Sequence, residues 1–130
     1  MAIICIICLF SCTKEETKDV WDNALYTENT EIGKGEKSFS FEVKANDRTV
    51  KFTVKTDKDT VGDALIENNL ISGDEGQYGL YVKVVNGITA DYDVNKCYWA
   101  FYVNDAYAMS GVDNTKITES DTYQFVYTKE

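Results

Sequence analysis

The stretch SFSFEVKANDRTVKFTVKT, residues 38–56, decides the fold of this chain. Its apolar residues fall at every second position on either side of a polar break, ANDR: Phe39, Phe41 and Val43, then Val50, Phe52 and Val54. A period of two is typical of strands that bury one face, and a polar break between two such strands indicates a turn. We therefore predict a β-hairpin with one apolar face over these residues.

A short amphipathic helix is predicted directly after the hairpin, in DKDTVGDALIENNLI. Thr60, followed three residues later by Asp63, has the spacing of a capping-box-like helix start. Apolar residues then recur at helical spacing from Val61 to Leu65. Such a helix would cross the apolar face of the sheet.

Strand patterns fill the rest of the chain. YGLYVKVVNGI predicts a strand that ends at the Asn86-Gly87 turn, because this dipeptide tolerates positive φ best. CYWAFYV predicts another strand, followed by a turn at Asn104-Asp105 and a short return strand, AYAMSG, and TYQFVYT predicts the last. A hairpin, one helix and several further strands indicate an α+β fold, a β-grasp-like mixed sheet with one crossing helix.

Four ordered blocks resemble the transcobalamin-like C-terminal domain family of bacterial lipoproteins and surface proteins: TVGDALIENNLI, GLYVKVVNGITADYD, YWAFYVND and SGVDNTKITESDTYQFVYT. The resemblance covers residues 38–128. It implies a β-grasp fold of the soluble-ligand-binding type and a corrinoid, cobalamin, as the ligand. These 130 residues do not include the separate helical-barrel domain that holds the other side of the corrin in the vertebrate carriers.

The resemblance also implies where a ligand would lie, near the tryptophan strand and the turn before the last strand. Matched residue by residue, these positions are Trp99, Met109, Ser110, Gly111 and Val112. We add Tyr102 as a candidate, because a tyrosine on the same strand can stack on a planar ligand.

Alternate residues of the strand at 98–103 point to opposite sides of the sheet. The two sets are Trp99, Phe101 and Val103 on one side, and Tyr98, Ala100 and Tyr102 on the other. If the Trp99 side faces the helix, the tyrosine side is open; in the reverse arrangement Trp99 is an exposed platform. Phe101 and Val103 favour the first arrangement, yet a tryptophan at the start of a strand can still reach the edge of the domain. A core position and a ligand contact both stay open for Trp99.

Metal ligands and catalytic groups are scarce in this sequence. It contains no histidine, which is the commonest metal ligand and general base. Asp91, Asp93 and Asn95 copy the opening of an EF-hand loop, but Lys96 and Tyr102 stand where that loop needs Gly and Glu. We interpret DKD before the helix as compensation of the helix dipole and SGDEG as a solvated loop. We assign no metal site, no cofactor and no enzyme activity.

The first twelve residues, MAIICIICLFSC, are predicted to be a lipoprotein signal peptide. The apolar run is shorter than the roughly 20 residues that span a bilayer, and Leu9-Phe10-Ser11-Cys12 resembles the bacterial lipobox. Cys12 is then the lipidation site, residues 13–37 are a polar tether and residues 38–130 are the domain. The predicted location is extracytoplasmic, lipid-anchored to the bacterial cell membrane. The alternative is a hydrophobic N-terminal strand.

Removal of the signal would leave Cys97 as the one cysteine of the domain, and we interpret it as a small hydrophobic core residue. The net charge of −9 would repel a nucleic-acid backbone. We expect a membrane-anchored ligand-binding module that captures a corrinoid or hands it to an uptake system, with a transporter or surface protein as a partner. The alternatives are a cell-surface structural or protein-interaction domain and a weak metal-binding protein.

Overall fold

The structure, a computed structural model, describes residues 19–77 and 79–130. The predicted signal peptide, the lipidation site at Cys12 and the first residues of the predicted tether lie outside these ranges, so those assignments stay predictions. Within the described ranges, no helix is both long enough and apolar enough to cross a membrane.

Nine strands and two short α-helices make up the described residues, in the order β1 (Thr30–Gly33), β2 (Lys37–Ala45), β3 (Arg48–Thr56), α1 (Val61–Glu67), β4 (Ile71–Gly76), β5 (Gly79–Val85), β6 (Ile88–Thr89), α2 (Tyr92–Asn95), β7 (Cys97–Val103), β8 (Ala106–Tyr107) and β9 (Thr122–Lys129). Short 3-10 turns lie at Val20–Asn23 and Val112–Asn114. The predicted hairpin is β2 and β3, and the predicted helix is α1, whose first turn is capped by the Thr60 hydroxyl accepting from the Asp63 amide at 3.2 Å.

The main sheet has six strands in the order β1-β3-β2-β9-β7-β8. At its centre, β2 of the first hairpin runs parallel to β9, the last strand. Strand β3 of the first hairpin lies beyond β2, and the hairpin β7-β8 lies beyond β9. Strand β1 joins the outer edge of β3 and runs parallel to it. A hairpin and a final strand paired in parallel, with a helix between them in sequence, form the β-grasp arrangement. The predicted α+β fold is therefore confirmed.

The core lies on the face of the main sheet that carries Phe41, Phe52 and Phe125. Phe41 and Phe52 are paired across β2 and β3, whereas Phe125 on β9 is paired with Val43. The rings of Phe41 and Phe125, diagonal neighbours, meet edge-on with centroids 6.2 Å apart. Helix α1 buries Leu65 completely. A smaller sheet, β4-β5-β6, adds Val85 to the same core.

Part of the stretch assigned to the polar tether belongs to the folded domain. Trp21 is buried, its indole Nε1 donates to the Ala45 carbonyl oxygen at 3.0 Å, and the guanidinium of Arg48 lies over its ring. Strand β1 also falls in this stretch. The packed structure therefore includes Trp21 and β1, ahead of the predicted boundary at residue 38, because one tryptophan and one edge strand suffice to hold a mostly polar segment.

The Asn86-Gly87 turn forms as predicted, with φ of 53° and 79°. Asn86 is fully buried, and its side chain accepts from the Tyr26 amide at 2.9 Å and donates to the Tyr26 carbonyl oxygen at 2.8 Å. The turn thus ties the N-terminal segment to the small sheet, 60 residues further along the chain.

Candidate ligand-binding cavity

Strand β7 turns its Trp99 side inward. Trp99 is 6% exposed, and its indole Nε1 donates to the Ile88 carbonyl oxygen at 3.1 Å. Its ring meets Tyr127 edge-on, with centroids 5.3 Å apart, and Phe101 packs on Phe125 at 5.0 Å. Tyr98 and Tyr102 lie on the other side, half-buried. The first of the two arrangements considered for this strand is the one adopted.

A cavity of about 410 Å³ opens between β5, the inner side of β7 and the segment that leads from β8 to the 3-10 turn at Val112–Asn114. Five of the six predicted ligand residues line it: Trp99, Met109, Ser110, Gly111 and Val112. Pockets of about 300–1,000 Å³, largely apolar with a few polar groups, are typical of small-molecule sites. Trp99 is therefore a core residue that also forms part of the cavity wall, and its role as a ligand contact stays a prediction.

Tyr102, the sixth predicted residue, is not among the residues that line this cavity. It lies on the outer side of β7, where its ring meets that of Tyr107 edge-on at 5.7 Å. The alternation of the strand sends residues 99 and 102 to opposite sides. Tyr98, on the same side as Tyr102 but at the start of the strand, does line the cavity.

Most of the remaining wall was not predicted from the sequence. Strand β5 provides Leu80, Tyr81 and Val82, and β7 and β8 provide the further aromatic residues Tyr98, Phe101 and Tyr107. Tyr81 and Tyr107 are 45% and 65% exposed, and Met109 is 97% exposed. The cavity thus has an apolar floor and a rim of exposed tyrosine and methionine side chains. Of the rim residues that were not predicted, only Tyr81 could have been inferred from the sequence, from the alternation of β5.

The segment that forms one wall of the cavity is held at both ends. At its start, the Ala108 amide donates to the Phe101 carbonyl oxygen at 3.0 Å. At its end, Asp113 Oδ2 accepts from the Leu80 amide at 3.1 Å, and the Val61 amide donates to the Thr115 carbonyl oxygen at 2.8 Å. The width of the cavity is therefore set by hydrogen bonds to β7, β5 and α1.

Two glycines allow this close approach. A Cβ on Gly62 in α1 would lie 2.7 Å from the Asp113 Cα, and one on Gly79 would lie 2.9 Å from Asp113 Oδ2. Gly79 also has a φ of +109°, which L side chains rarely adopt. Asp113 Oδ1 is buried, and within residues 19–77 and 79–130 it has no hydrogen-bond partner.

The comparisons with known proteins bear on this part of the chain. Residues 58–129 match the family described as Domain of unknown function (DUF4430). The chain belongs to the DUF4430 family. The matched residues include every strand that lines the cavity, together with α1 and the segment from β8 to the last strand. None of the curated proteins matches the chain in sequence.

Two solved structures share the fold of the DUF4430 segment. A proposed metal-binding protein from Ruminococcus gnavus ATCC 29149 is 26% identical with a TM-score of 0.68, over 73% of this chain and 99% of that protein. Haptocorrin, crystallised in complex with Cbi, is 16% identical with a TM-score of 0.55, over 72% of this chain and 25% of haptocorrin. At 16% identity the likeness is one of fold. The family match and these two structures confirm the predicted resemblance to transcobalamin-like domains.

The carboxylates considered as metal ligands take part in local structure in this DUF4430 protein. Asp91 accepts from the Asp93 amide at 3.1 Å, and Asn95 Oδ1 accepts from the Cys97 amide at 3.2 Å. SGDEG forms strand β4, not the loop we expected, and Asp74 lies 3.0 Å from the Lys83 Nζ, raising the pKa of that lysine. In the part of the chain that the structure describes, no three His, Cys, Asp or Glu side chains are grouped to hold a metal ion.

Two tyrosines near the cavity have raised pKa values. The Tyr92 hydroxyl donates to the Glu130 carboxylate, which raises the pKa of that phenol. Burial, followed by a hydrogen bond with the Cys97 thiol, raises the pKa of Tyr127. Cys97 itself is buried, with its Sγ 3.6 Å from the Asn95 carbonyl oxygen. Both phenols are therefore protonated donors at neutral pH.

Proposed function

We propose that this chain is an extracytoplasmic ligand-binding module, held at the bacterial cell membrane by lipid on Cys12, and that its ligand occupies the cavity beside Trp99. The observation that carries the proposal is that residues selected from separate parts of the sequence meet at one cavity. Five residues selected from sequence blocks about ten positions apart line one cavity with an apolar floor and an exposed rim. Exposed apolar side chains next to a preformed cavity are typical of binding sites.

We further propose that the ligand is a corrinoid and that the module captures it or hands it to an uptake system. The fold shared with haptocorrin, which was crystallised with Cbi, supports this choice. The cavity is open to solvent, so a ligand as large as a corrinoid would place one edge in it and keep the rest outside the domain. Such one-sided contact suits capture followed by release to a partner.

The test is a titration with cyanocobalamin of the full chain carrying Cys12→Ser and Trp21→Phe, which leaves Trp99 as the single tryptophan. We expect saturable quenching of Trp99 fluorescence that exceeds the loss caused by light absorption of the ligand, which a titration of free tryptophan amide measures. Calorimetry should detect heat of binding over the same concentration range. Absence of both signals at high ligand concentration would refute the corrinoid proposal.

A matched pair of variants locates the site. Met109→Glu puts a charge on the rim of the cavity, at a side chain that is 97% exposed and so contributes little to stability. Val94→Glu makes the same kind of change at a 79% exposed residue of α2 that does not line the cavity. The first variant should weaken binding and the second should not.

A protein-interaction domain is the second candidate function, because β7 offers an edge for strand addition. Strand β8 pairs only with Tyr102 and Val103, so from Cys97 to Ala100 no described strand lies beside the outer edge of β7. An extended peptide can add to such an edge through main-chain hydrogen bonds. A partner recovered by crosslinking at Tyr98, in the absence of any small-molecule binding, would favour this function.

A metal-binding role is a third candidate, favoured by the likeness to the proposed metal-binding protein from Ruminococcus gnavus. The test is thermal unfolding with and without Ca²⁺ or Zn²⁺. A rise in melting temperature that Asp91→Asn and Asp93→Asn abolish would support it, and an unchanged melting temperature with either ion would exclude it.

A further inference from the structure

We infer that the cavity beside Trp99 selects an organic cation, a quaternary ammonium or a similarly alkylated amine, over a neutral or anionic ligand of the same shape. The inference rests on the ligand-binding part of the proposed function, that a ligand occupies this cavity, and it names a class of ligand other than a corrinoid. Three independent features of the described residues lead to it.

The first feature is the absence of positive charge in the wall. No lysine or arginine is among the described residues that line the cavity, and the sequence contains no histidine. An anionic ligand would find only neutral donors there: the hydroxyls of Ser110 and the tyrosines, and backbone amides. Burying an anion without a charged partner is unfavourable, so the wall disfavours carboxylates and phosphates.

The second feature is the number of aromatic side chains at the cavity. Trp99 lies in the wall, and Tyr81, Tyr98 and Tyr107 line the same cavity. Aromatic faces attract cations electrostatically, and groups of them are the usual means of recognising quaternary ammonium ions. Since Tyr81 and Tyr107 are exposed without ligand, a bound cation would desolvate them, and desolvation strengthens the attraction.

The third feature is the carboxylate of Asp113, directly behind the wall. Its Oδ2 accepts from the Leu80 amide, and its Oδ1 lies so close to Gly111 that a Cβ there would be 3.0 Å away. Leu80 and Gly111 both line the cavity. A buried oxygen without a hydrogen-bond donor among the described residues thus adds negative potential at this wall. The net charge of −9 adds long-range attraction for cations.

Three probes of nearly the same shape test the charge preference: choline, its neutral carbon analogue 3,3-dimethylbutan-1-ol, and the anion 3,3-dimethylbutanoate. Each is titrated into the full chain carrying Cys12→Ser and Trp21→Phe, with Trp99 fluorescence as the signal. We expect choline to bind about tenfold more tightly than the alcohol, the size expected for a partly desolvated cation–π contact, and the anion to bind most weakly.

Substitutions at the wall distinguish the contribution of an aromatic ring to choline binding from an effect on folding. Tyr81→Phe keeps the ring face and should keep the preference for choline, whereas Tyr81→Leu should reduce it several-fold. The residue is 45% exposed, so neither change should disturb folding. Asp113→Asn retains an acceptor for the Leu80 amide but removes the charge, and it should reduce the ratio of choline to alcohol affinity.

The outcomes distinguish the inference from the function on which it rests. Equal or tighter binding of the alcohol, or binding of cyanocobalamin without binding of choline, overturns the cation inference and leaves the ligand-binding function standing. If neither cyanocobalamin nor any of the three probes binds, both fail. A tenfold preference for choline that Tyr81→Leu weakens and Tyr81→Phe retains supports the inference.

Discussion

The indole Nε1 of Trp99 donates a hydrogen bond to the carbonyl oxygen of Ile88, 3.1 Å away in the interior. This bond joins β7 of the main sheet to β6 of the small sheet, and it holds the tryptophan so that its ring both fills the core and lines the cavity. One side chain, Trp99, therefore connects the two sheets and also forms part of the cavity wall.

Replacing Trp99 by Phe should destabilise the protein by about 1–3 kcal/mol, because the buried Ile88 carbonyl loses its donor while most of the aromatic contact remains. Urea denaturation followed by far-ultraviolet circular dichroism measures the change. Trp21→Phe gives a comparison, since it removes an equivalent bond, to the Ala45 carbonyl, at the other end of the core. An unchanged midpoint for Trp99→Phe would show that the bond to Ile88 contributes nothing.

Asn86→Ala should cost about 2–4 kcal/mol, because it removes two buried hydrogen bonds to Tyr26 and puts alanine at a φ of 53°. Loss of structure should begin in the N-terminal segment. Hydrogen exchange should therefore accelerate at the Tyr26 and Leu25 amides, which donate to Asn86, more than at β9. Uniform acceleration across the sheet would contradict this local role.

Gly62→Ala should destabilise the protein by about 1–3 kcal/mol, although alanine ordinarily stabilises a helix relative to glycine. The new Cβ would lie 2.7 Å from the Asp113 Cα, so α1 or the cavity wall must move. Gly76→Ala is the control, since among residues 19–77 and 79–130 its Cβ would meet only the Gly79 carbonyl oxygen at 3.4 Å, an ordinary contact. Thermal unfolding of both variants compares them, and stabilisation by Gly62→Ala would refute the close approach.

In an alkaline titration, part of the tyrosine ionisation should occur at a higher pH than that of an ordinary tyrosine, and we call this part the late component. Tyr92 and Tyr127 both have pKa values raised above the ordinary value of 10.0, the first by its bond to Glu130 and the second by burial. A raised folded-state pKa stabilises the protein below the unfolded-state pKa, and this stabilisation is lost as the pH rises through the folded-state value. Stability should therefore decline above about pH 10.

Absorbance of phenolate during alkaline titration measures this component. Tyr127→Phe should remove one group that ionises at high pH. Glu130→Gln should lower the pH at which Tyr92 ionises, because it removes the carboxylate that accepts the hydrogen bond of that hydroxyl. A late component that survives Tyr127→Phe and Glu130→Gln combined would mean that other tyrosines produce it.

The sequence predicted the elements whose signals are local. The hairpin β2-β3 follows from alternating apolar residues, and α1 from its Thr60 cap. Trp21 and β1 were missed because their burial depends on partners distant in sequence, the Ala45 carbonyl for the indole and β3 for the strand. Strand β4 was missed because all its residues except Ile71 are exposed, which leaves no alternation to detect.

The candidate site followed the same rule. Trp99 and residues 109–112 could be selected from the family resemblance. Tyr81 joins them because the small sheet lies against the main one, and Tyr107 joins them because β8 folds back beside β7. Tyr102 was selected as a ligand residue together with Trp99, although the alternation of the strand argues against that choice. A residue three positions from Trp99 on a strand faces the opposite way, so the two side chains could not both point to the inner side of β7.

The parallel pairing of β2 with β9 sets the order in which the chain can fold. Glu42 and Gln124, which share a hydrogen bond across this pair, are 82 residues apart. Contacts at such separation form late, because the entropy of closing the intervening chain is lost before they form. The hairpin and α1 can form early during synthesis, but their apolar faces stay uncovered until β9 has left the ribosome. A nascent chain of this kind therefore completes its core only after β9 has been made.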